Sequence, residues 1–259
     1  MKYYVTSDVH SFTSLLQSRL EDAGFFTDSE PHKLMILGDL FDRGPEPREM
    51  QQFILRMLQE DQVILVRGNH EDLFRELIYE DGGYPRSHHR QNGTYDTALA
   101  LTGMSRREAW EDMDDFCRRA AASPFNKVII PATRNYFETQ SFVFVHGWIP
   151  CLREHNGSYS FIENWRDAED RLWQDARWIN GMDAVQQVWV PGKTVVCGHY
   201  HTSYGHSKYE GKGGESGEGA DFGPYFGDGI LAIDASTANS GQMNLLIIED
   251  EEVKEKHEQ

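Results

Sequence analysis

Short apolar runs punctuate the chain: Tyr3 to Val5, Leu34 to Leu37, Val63 to Val66, Phe142 to Val145, Thr194 to Val196 and Ile230 to Ile233. Most are too short for a helix and rich in branched or aromatic residues, which predicts buried strands. Two amphipathic stretches separate the first three. Phe12, Leu15, Leu16 and Leu20 fall at helical spacing before Gly24, and Met50, Phe53, Ile54, Met57 and Leu58 follow a proline-rich opening. Strand, helix, strand, helix, strand predicts crossover units and a mostly parallel sheet.

Beyond His70 the pattern becomes helical. Asp72 to Glu80, Thr94 to Leu101 and Ser105 to Ala122 read as helices, the last opened by a Ser105-x-x-Glu108 capping box, and together they predict a helical cap over about 72–125. Lys127 to Ile130 and Asn135 to Thr139 read as a return to strand and a second sheet. Gly205 to Gly229 holds nine of the 23 glycines and reads as a long mobile loop. The charged stretch Glu249 to Gln259 reads as frayed or weakly helical.

With 259 residues the chain can bury one large core without staples, and it is read as a single domain over 1–259. The excess of 42 acidic over 25 basic residues, a formal charge of -17, disfavours duplex nucleic acid as a partner. No apolar run approaches a membrane span and no basic helix is present, so a membrane partner is not expected. Three cysteines without a CxxC pair, and an N-terminus without an apolar signal core, point to a cytoplasmic address.

The residues that follow the strands carry the chemistry. Asp8-Val9-His10 follows the first, Gly38-Asp39-Leu40-Phe41-Asp42-Arg43-Gly44 the second, and Arg67-Gly68-Asn69-His70-Glu71 the third. His146-Gly147 and Gly198-His199-Tyr200-His201 follow two later runs. Ligands bind at the carboxyl edge of open α/β sheets, so these tips can converge. Oxygen and imidazole donors without thiolates suit Mn, Fe or Zn, and their number exceeds the needs of one ion. A lone Asp after a strand is ordinarily a turn or cap, and a lone buried His is ordinarily just hydrogen-bonded. Five such motifs in succession are not explained that way.

In this order the motifs resemble those of the calcineurin-like metallophosphoesterases, more narrowly their serine/threonine phosphoprotein phosphatase branch with its bacterial members. The resemblance runs from about Asp8 to His201 and implies a four-layer α/β/β/α sandwich of two mixed sheets. It implies that Asp8 and His10 bind one metal, that Asp39 bridges, and that Asn69, His146 and His199 bind the other. The cofactors implied are two divalent or trivalent ions, Mn2+ first, with Fe or Zn as alternatives. Together they acidify a shared water for in-line attack on phosphorus. Arg43 would clamp phosphoryl oxygens with its planar fork, and His70, paired with Asp42, would protonate the leaving oxygen. Glu71 is read as supporting the ligands and Arg67 as pairing with a nearby acid.

His201 is read as an additional ligand of the first metal, against the alternative that it only lies beside the site. Arg177 falls where that branch places a second phosphate-gripping arginine, with Arg166 and Arg171 as competitors and an exposed ion pair as the plain alternative for each. Ser11 and Trp148 stand where the family usually has glycine, which would reshape the pocket. Asn92-Gly93-Thr94 is similar to an element of bacterial members, including symmetrical dinucleoside tetraphosphatases, and equally reads as a turn with a helix cap. Five of six tryptophans lie between Trp148 and Trp189; core packing is their default role, a base-stacking wall the sharper one.

The resemblance therefore implies hydrolysis of phosphomonoesters, with phosphorylated protein or a small phosphoester as partner. A nucleotide or dinucleoside polyphosphate hydrolase is the second expectation. A non-catalytic binding module is the alternative of another class, and it is opposed by the presence of Arg43 and His70 alongside every ligand. Gly227-Asp228-Gly229-Ile230-Leu231-Ala232 matches a dinucleotide fingerprint formally but precedes a strand, so it is discounted.

Overall fold

The computed structural model describes residues 1–253. The first half runs β1 (Lys2–Thr6), α1 (Thr13–Asp22), β2 (His32–Leu37), α2 (Pro47–Gln59), β3 (Val63–Val66) and α3 (Asn69–Arg75), as the alternating pattern predicts. Proline stands at the start of α2, where its missing N–H costs nothing. The helical stretch that follows comprises a π-helical turn at Glu76–Glu80, α4 (Ser87–Asn92), α5 (Thr94–Thr102), α6 (Arg106–Glu111) and α7 (Met113–Ala122).

A second π-helical turn, Phe125–Ile129, leads into α8 (Ile130–Ala132). Then come β4 (Phe137–Glu138), β5 (Phe142–Phe144), β6 (Cys151–Arg153), β7 (Tyr159–Phe161), α9 (Asp170–Ala176) and α10 (Gly181–Ala184). The chain continues through β8 (Thr194–Cys197), α11 (Thr202–Glu210), β9 (Tyr225–Gly227), β10 (Ile230–Ala232), α12 (Thr237–Ser240) and β11 (Leu246–Glu249).

Two mixed sheets form the centre. One has the order β11-β1-β2-β3, with β1, β2 and β3 parallel and β11 antiparallel to β1. The other has the order β4-β5-β8-β10-β9, with β5, β8 and β10 parallel and the outer strands antiparallel. Tyr3, Val5, Met35, Leu37 and Val66 on one sheet meet Phe144, Val196 and Leu231 on the other. The opposite face of the first sheet, with Tyr4, Leu34, Ile36 and Leu65, packs on Leu16, Phe53, Phe74 and Phe116 from the helices. The outer face of the second, with Val143, Val195 and Ile230, packs on Trp148, Trp165, Trp173 and Met182. These three clusters make four layers, α/β/β/α. The strands read as unbroken apolar runs because both faces are covered.

Four segments differ from the sequence pattern. Lys127 to Ile130 is helical, not a strand: Phe125, Ile129 and Ile130 are buried while Lys127 and Val128 face solvent, a helical period, and Pro131 suits a helix start. Ser105 to Ala122 is two helices, because the Asp112 side chain accepts Asp115 N–H at 2.9 Å and starts a new one. The predicted Ser105–Glu108 capping box is formed. Gly205 to Gly229 is not all loop: α11 runs to Glu210 and β9 begins at Tyr225. Of the last segment, Glu249 ends β11 and Glu252 bridges to Thr139, while 254–259 lie outside the described residues.

Candidate active site

The carboxyl ends of β1, β2, β3, β5, β8 and β10 point to one edge of the sandwich. Asp8, His10, Ser11, Asp39, Asp42, Arg43, His199 and Ser236 all adopt left-handed backbone there, with φ between 44° and 74°. Each such residue costs roughly 1–3 kcal/mol, so the surroundings must hold it. His10 N–H donates to Asp39 O and Ser11 N–H to Leu40 O, both at 2.9 Å. The buried Glu71 carboxylate accepts the N–H groups of Asp39, Leu40 and Gly68 at 3.1, 3.0 and 2.7 Å. Glu71 is therefore the tie between the tips of β2 and β3. Gly68 is obligatory, since a Cβ there would lie 2.1 Å from Asp39 Oδ1.

Asp39 stands between two groups of donors. Its Oδ2 lies 3.8 Å from His10 Nε2 and 3.6 Å from His70 Nε2, and its Oδ1 lies 3.3 Å from His146 Nε2. His10, Asp39 and His70 form one cluster of potential ligand atoms, and Asp39, His146 and His199 form another. Asn69 Oδ1 joins the second, 2.8 Å from His146 Nε2 and 3.0 Å from His199 Nδ1.

The donor set fits cations. His10 Nδ1 lies 2.8 Å from Phe41 O, and His146 Nδ1 lies 2.7 Å from Leu37 O. A carbonyl only accepts, so each Nδ1 carries the proton. Burial holds both rings well below the usual histidine range, hence neutral, and leaves Nε2 as a bare lone pair. Burial lowers His199 to about 4. His146 Nε2 thus faces two oxygens, Asn69 Oδ1 and Asp39 Oδ1, with no hydrogen to share. Burial, then repulsion from neighbouring carboxylates, drives Asp8 and Asp39 well above the usual carboxylate range. Positive charge between these atoms relieves every one of those conflicts.

Asp8 lies beside the clusters, its Oδ2 accepting His199 N–H at 3.0 Å. Asp234, buried after β10, is the charged neighbour that most raises Asp8 and was missed in the sequence. His201 enters neither cluster; its Nδ1 contacts Ser203 Oγ at 2.9 Å and its Nε2 lies 3.4 Å from Glu215.

His70 and Asp42 form a buried pair, Nδ1 to Oδ2 at 2.7 Å. Burial pushes Asp42 up to about 6 and holds His70 low, so at pH 7 a neutral imidazole donates to a carboxylate. Thr94 Oγ1 donates to the same Asp42 oxygen at 2.7 Å, and Thr97 Oγ1 accepts Asp42 N–H at 3.1 Å. The exposed Arg43 curls back, donating to His10 Nε2, His70 Nε2 and Asn92 Oδ1 at 3.2 Å each. Gly93, at φ 88°, lets α5 approach so closely that a Cβ would lie 2.6 Å from Arg43 N. Asn92-Gly93-Thr94 thus both turns the chain and braces Asp42 and Arg43.

Arg177 is 4% exposed, and its guanidinium donates to Asp72 Oδ2 and Asn135 Oδ1 at 2.5 Å each. It lines a cavity of about 390 Å³ together with Asn69, Arg67 and Trp178. Its competitors point elsewhere: Arg166 grips Glu138 with two bonds of 2.7 Å, and Arg171 is exposed on α9. Of the five clustered tryptophans, Trp148, Trp165 and Trp173 are core. Trp178 is 51% exposed and its ring lies edge-on, 5.7 Å from that of His199.

The model of the calcineurin-like phosphoesterase family matches residues 1–213, and the chain belongs to that family. It is 38% identical over 80 residues to serine/threonine-protein phosphatase 2 of Escherichia coli (strain K12), covering 31% of this chain and 34% of that protein. It is 27% identical over 136 residues to bis(5'-nucleosyl)-tetraphosphatase PrpE [asymmetrical] of Bacillus velezensis, covering 50% of this chain and 52% of that one. The chain thus aligns with about a third to a half of the length of these relatives. A solved protein serine/threonine phosphatase from Saccharomyces cerevisiae shares the fold, with a TM-score of 0.51 at 13% identity over 99% of this chain and 82% of that one. Among the described residues no helix is long and apolar enough to cross a membrane.

Proposed function

We propose that this chain hydrolyses phosphomonoesters, using two divalent cations held on either side of Asp39. The observation that carries this reading is the Asp39 carboxylate, whose two oxygens face separate donor groups. Asp8, His10 and Asp39 would hold one ion, and Asp39, Asn69, His146 and His199 the other, with Mn2+ the first choice and Fe or Zn the alternatives. When bound, the pair supplies the charge that acidifies a water and neutralises phosphoryl oxygens.

The protein's own groups do the rest. Arg43 turns its fork from the two imidazoles to the phosphoryl oxygens, which take over its hydrogen bonds. His70 is held in one orientation by Asp42, with its unprotonated Nε2 directed at the reacting centre, where it would take the proton that the attacking water gives up and then pass it to the leaving oxygen. Arg177, braced by Asp72 and Asn135, supplies a fixed positive charge on the cavity wall. Glu71 keeps the bridging residue in place by its three backbone contacts.

Phosphoserine or phosphothreonine is the leading substrate class, and the chain is read as one catalytic domain working in the cytoplasm. Cys117, Cys151 and Cys197, unpaired among the described residues, suit a reducing compartment. A second reading, a dinucleoside polyphosphate, is favoured by Trp178, an exposed aromatic face bordering the cavity beside His199. Rates on a phosphothreonine peptide and a dinucleoside tetraphosphate under one Mn2+ load separate the two. Faster peptide hydrolysis supports the leading class, faster dinucleotide hydrolysis the second, and neither substrate being cleaved refutes the proposal.

A further inference from the structure

A second constellation of metal-type donors lies outside the strand tips. Past α3 the chain makes the π-helical turn Glu76–Glu80, then passes Gly82 and Gly83, both at positive φ, and returns along α4. This reversal gathers Glu76, Asp81, His88 and His89, one donor atom of each lying within 4.8 Å of all the others. His88 Nε2 is 3.1 Å from Glu76 Oε1 and 3.2 Å from His89 Nε2, and His89 Nε2 is 3.9 Å from Glu76 Oε1. Ligands about 2.0–2.1 Å from a tetrahedral Zn2+ stand roughly 3.4 Å apart. The three distances straddle that value.

Asp81 provides an independent sign. Its side chain is 4% exposed, Oδ1 is paired with Arg86, and Oδ2 is buried without a hydrogen-bond partner. That orphan oxygen lies 3.8 Å from His89 Nδ1, on a ring with no solvent exposure. A buried, unsatisfied carboxylate oxygen is costly, and folded proteins rarely leave one. The bland reading is helix capping, since His89 Nδ1 accepts Arg86 N–H at 3.3 Å. It excludes ligation by Nε2 of the same ring, since a metal-bound Nε2 needs the proton on Nδ1, where it would face Asp81 Oδ2 at 3.8 Å, and it leaves that oxygen unexplained.

We propose that Glu76, Asp81, His88 and His89 bind a Zn2+-class ion at a site separate from the one centred on Asp39. Two imidazoles and two carboxylates are the donors such an ion prefers, and partly exposed Glu76 and His88 give it a way in. The ion ties the segment leaving α3, which begins with Asn69 and His70, to α4, which ends at Asn92. Asn92 accepts from Arg43, and its amide donates to His88 O at 2.9 Å, so the clamp reaches the phosphate-facing arginine. A π-turn at such a junction is a common mark of a functional position.

The test is metal content by elemental analysis of full-length protein loaded with Zn2+ and desalted, for the native chain and for His88→Gln and Glu76→Gln. Both positions are partly exposed, so both variants should fold, as circular dichroism can verify. Each variant should hold about one equivalent less than the native protein, whatever number Asp39 retains, and should lose part of the Zn2+-induced rise in melting temperature. Equal metal content in all three proteins overturns the proposal. Because the readout is a difference, it stands apart from any failure of the phosphoesterase reading.

Discussion

The Nδ1–H of His70 donates to Asp42 Oδ2 at 2.7 Å, and Thr94 Oγ1 donates to that same oxygen at 2.7 Å. The imidazole is thereby fixed in tautomer and direction by two residues far from it in sequence. The arrangement anchors one nitrogen and turns the other, an acceptor facing Asp39 and Arg43, toward the site, where it can take up a proton and hand it on.

His70→Asn should therefore slow an alkyl phosphate by roughly 10²- to 10⁴-fold, the usual worth of a positioned proton donor. A nitrophenolate leaves readily without a proton, so the nitrophenyl ester should lose clearly less. Paired steady-state assays check this, and equal losses on both esters with metal content unchanged would remove the proton-donor role.

Thr94→Val deletes a hydrogen bond to a charged carboxylate that touches neither substrate nor ligand. The expected cost is roughly 10-fold in kcat on the alkyl ester, matching about 1.5 kcal/mol for such a bond, with KM nearly unchanged. A change confined to KM would show that Thr94 shapes the pocket rather than orienting His70 through Asp42.

Gly68→Ala places a Cβ 2.1 Å from Asp39 Oδ1 and 2.4 Å from Asp39 N, atoms that cannot yield without moving the Asp39 carboxylate. Loss of metal affinity and destabilisation by roughly 1–3 kcal/mol are expected. Calorimetric metal titration and thermal unfolding measure the two, and native affinity in a folded variant would contradict the packing argument.

Trp178→Ala distinguishes a stacking face from a structural one. If Trp178 stacks on a base, KM for a dinucleoside tetraphosphate should rise roughly 10-fold, within the range of about 1–3 kcal/mol per stacked base, while a phosphopeptide is unaffected. Equal effects on the two substrates would make the residue a wall of the cavity and nothing more.

The strands and the donors at their tips were legible because each donor directly follows an apolar run buried on both faces. Asp8, Asp39, Asn69, His146 and His199 all sit within three residues of a strand end. The tertiary partners were not. Thr94 and Thr97 reach Asp42 only because α5 packs against the β2 tip, and their sequence signal is that of an ordinary helix start. Asp234 follows a strand as the others do, but Ala235 and Ser236 gave it no company of donors. The Lys127 to Ile130 run was misread because branched residues imitate a strand wherever the helix that buries them is short. Gly205 sits in α11 because Met182 Sδ and Tyr225 leave no room for a Cβ, a reason invisible to composition. His201, the residue before α11, contacts Ser203 and Glu215, partners that the motif alone does not show.

Bridging by Asp39 is the claim on which the functional reading rests, and Mn2+ content by elemental analysis of loaded, desalted protein tests it. One carboxylate serving two ions predicts that Asp39→Asn holds two equivalents less than the native chain. A variant that folds and loses only one would show that Asp39 serves a single ion and would contradict the account.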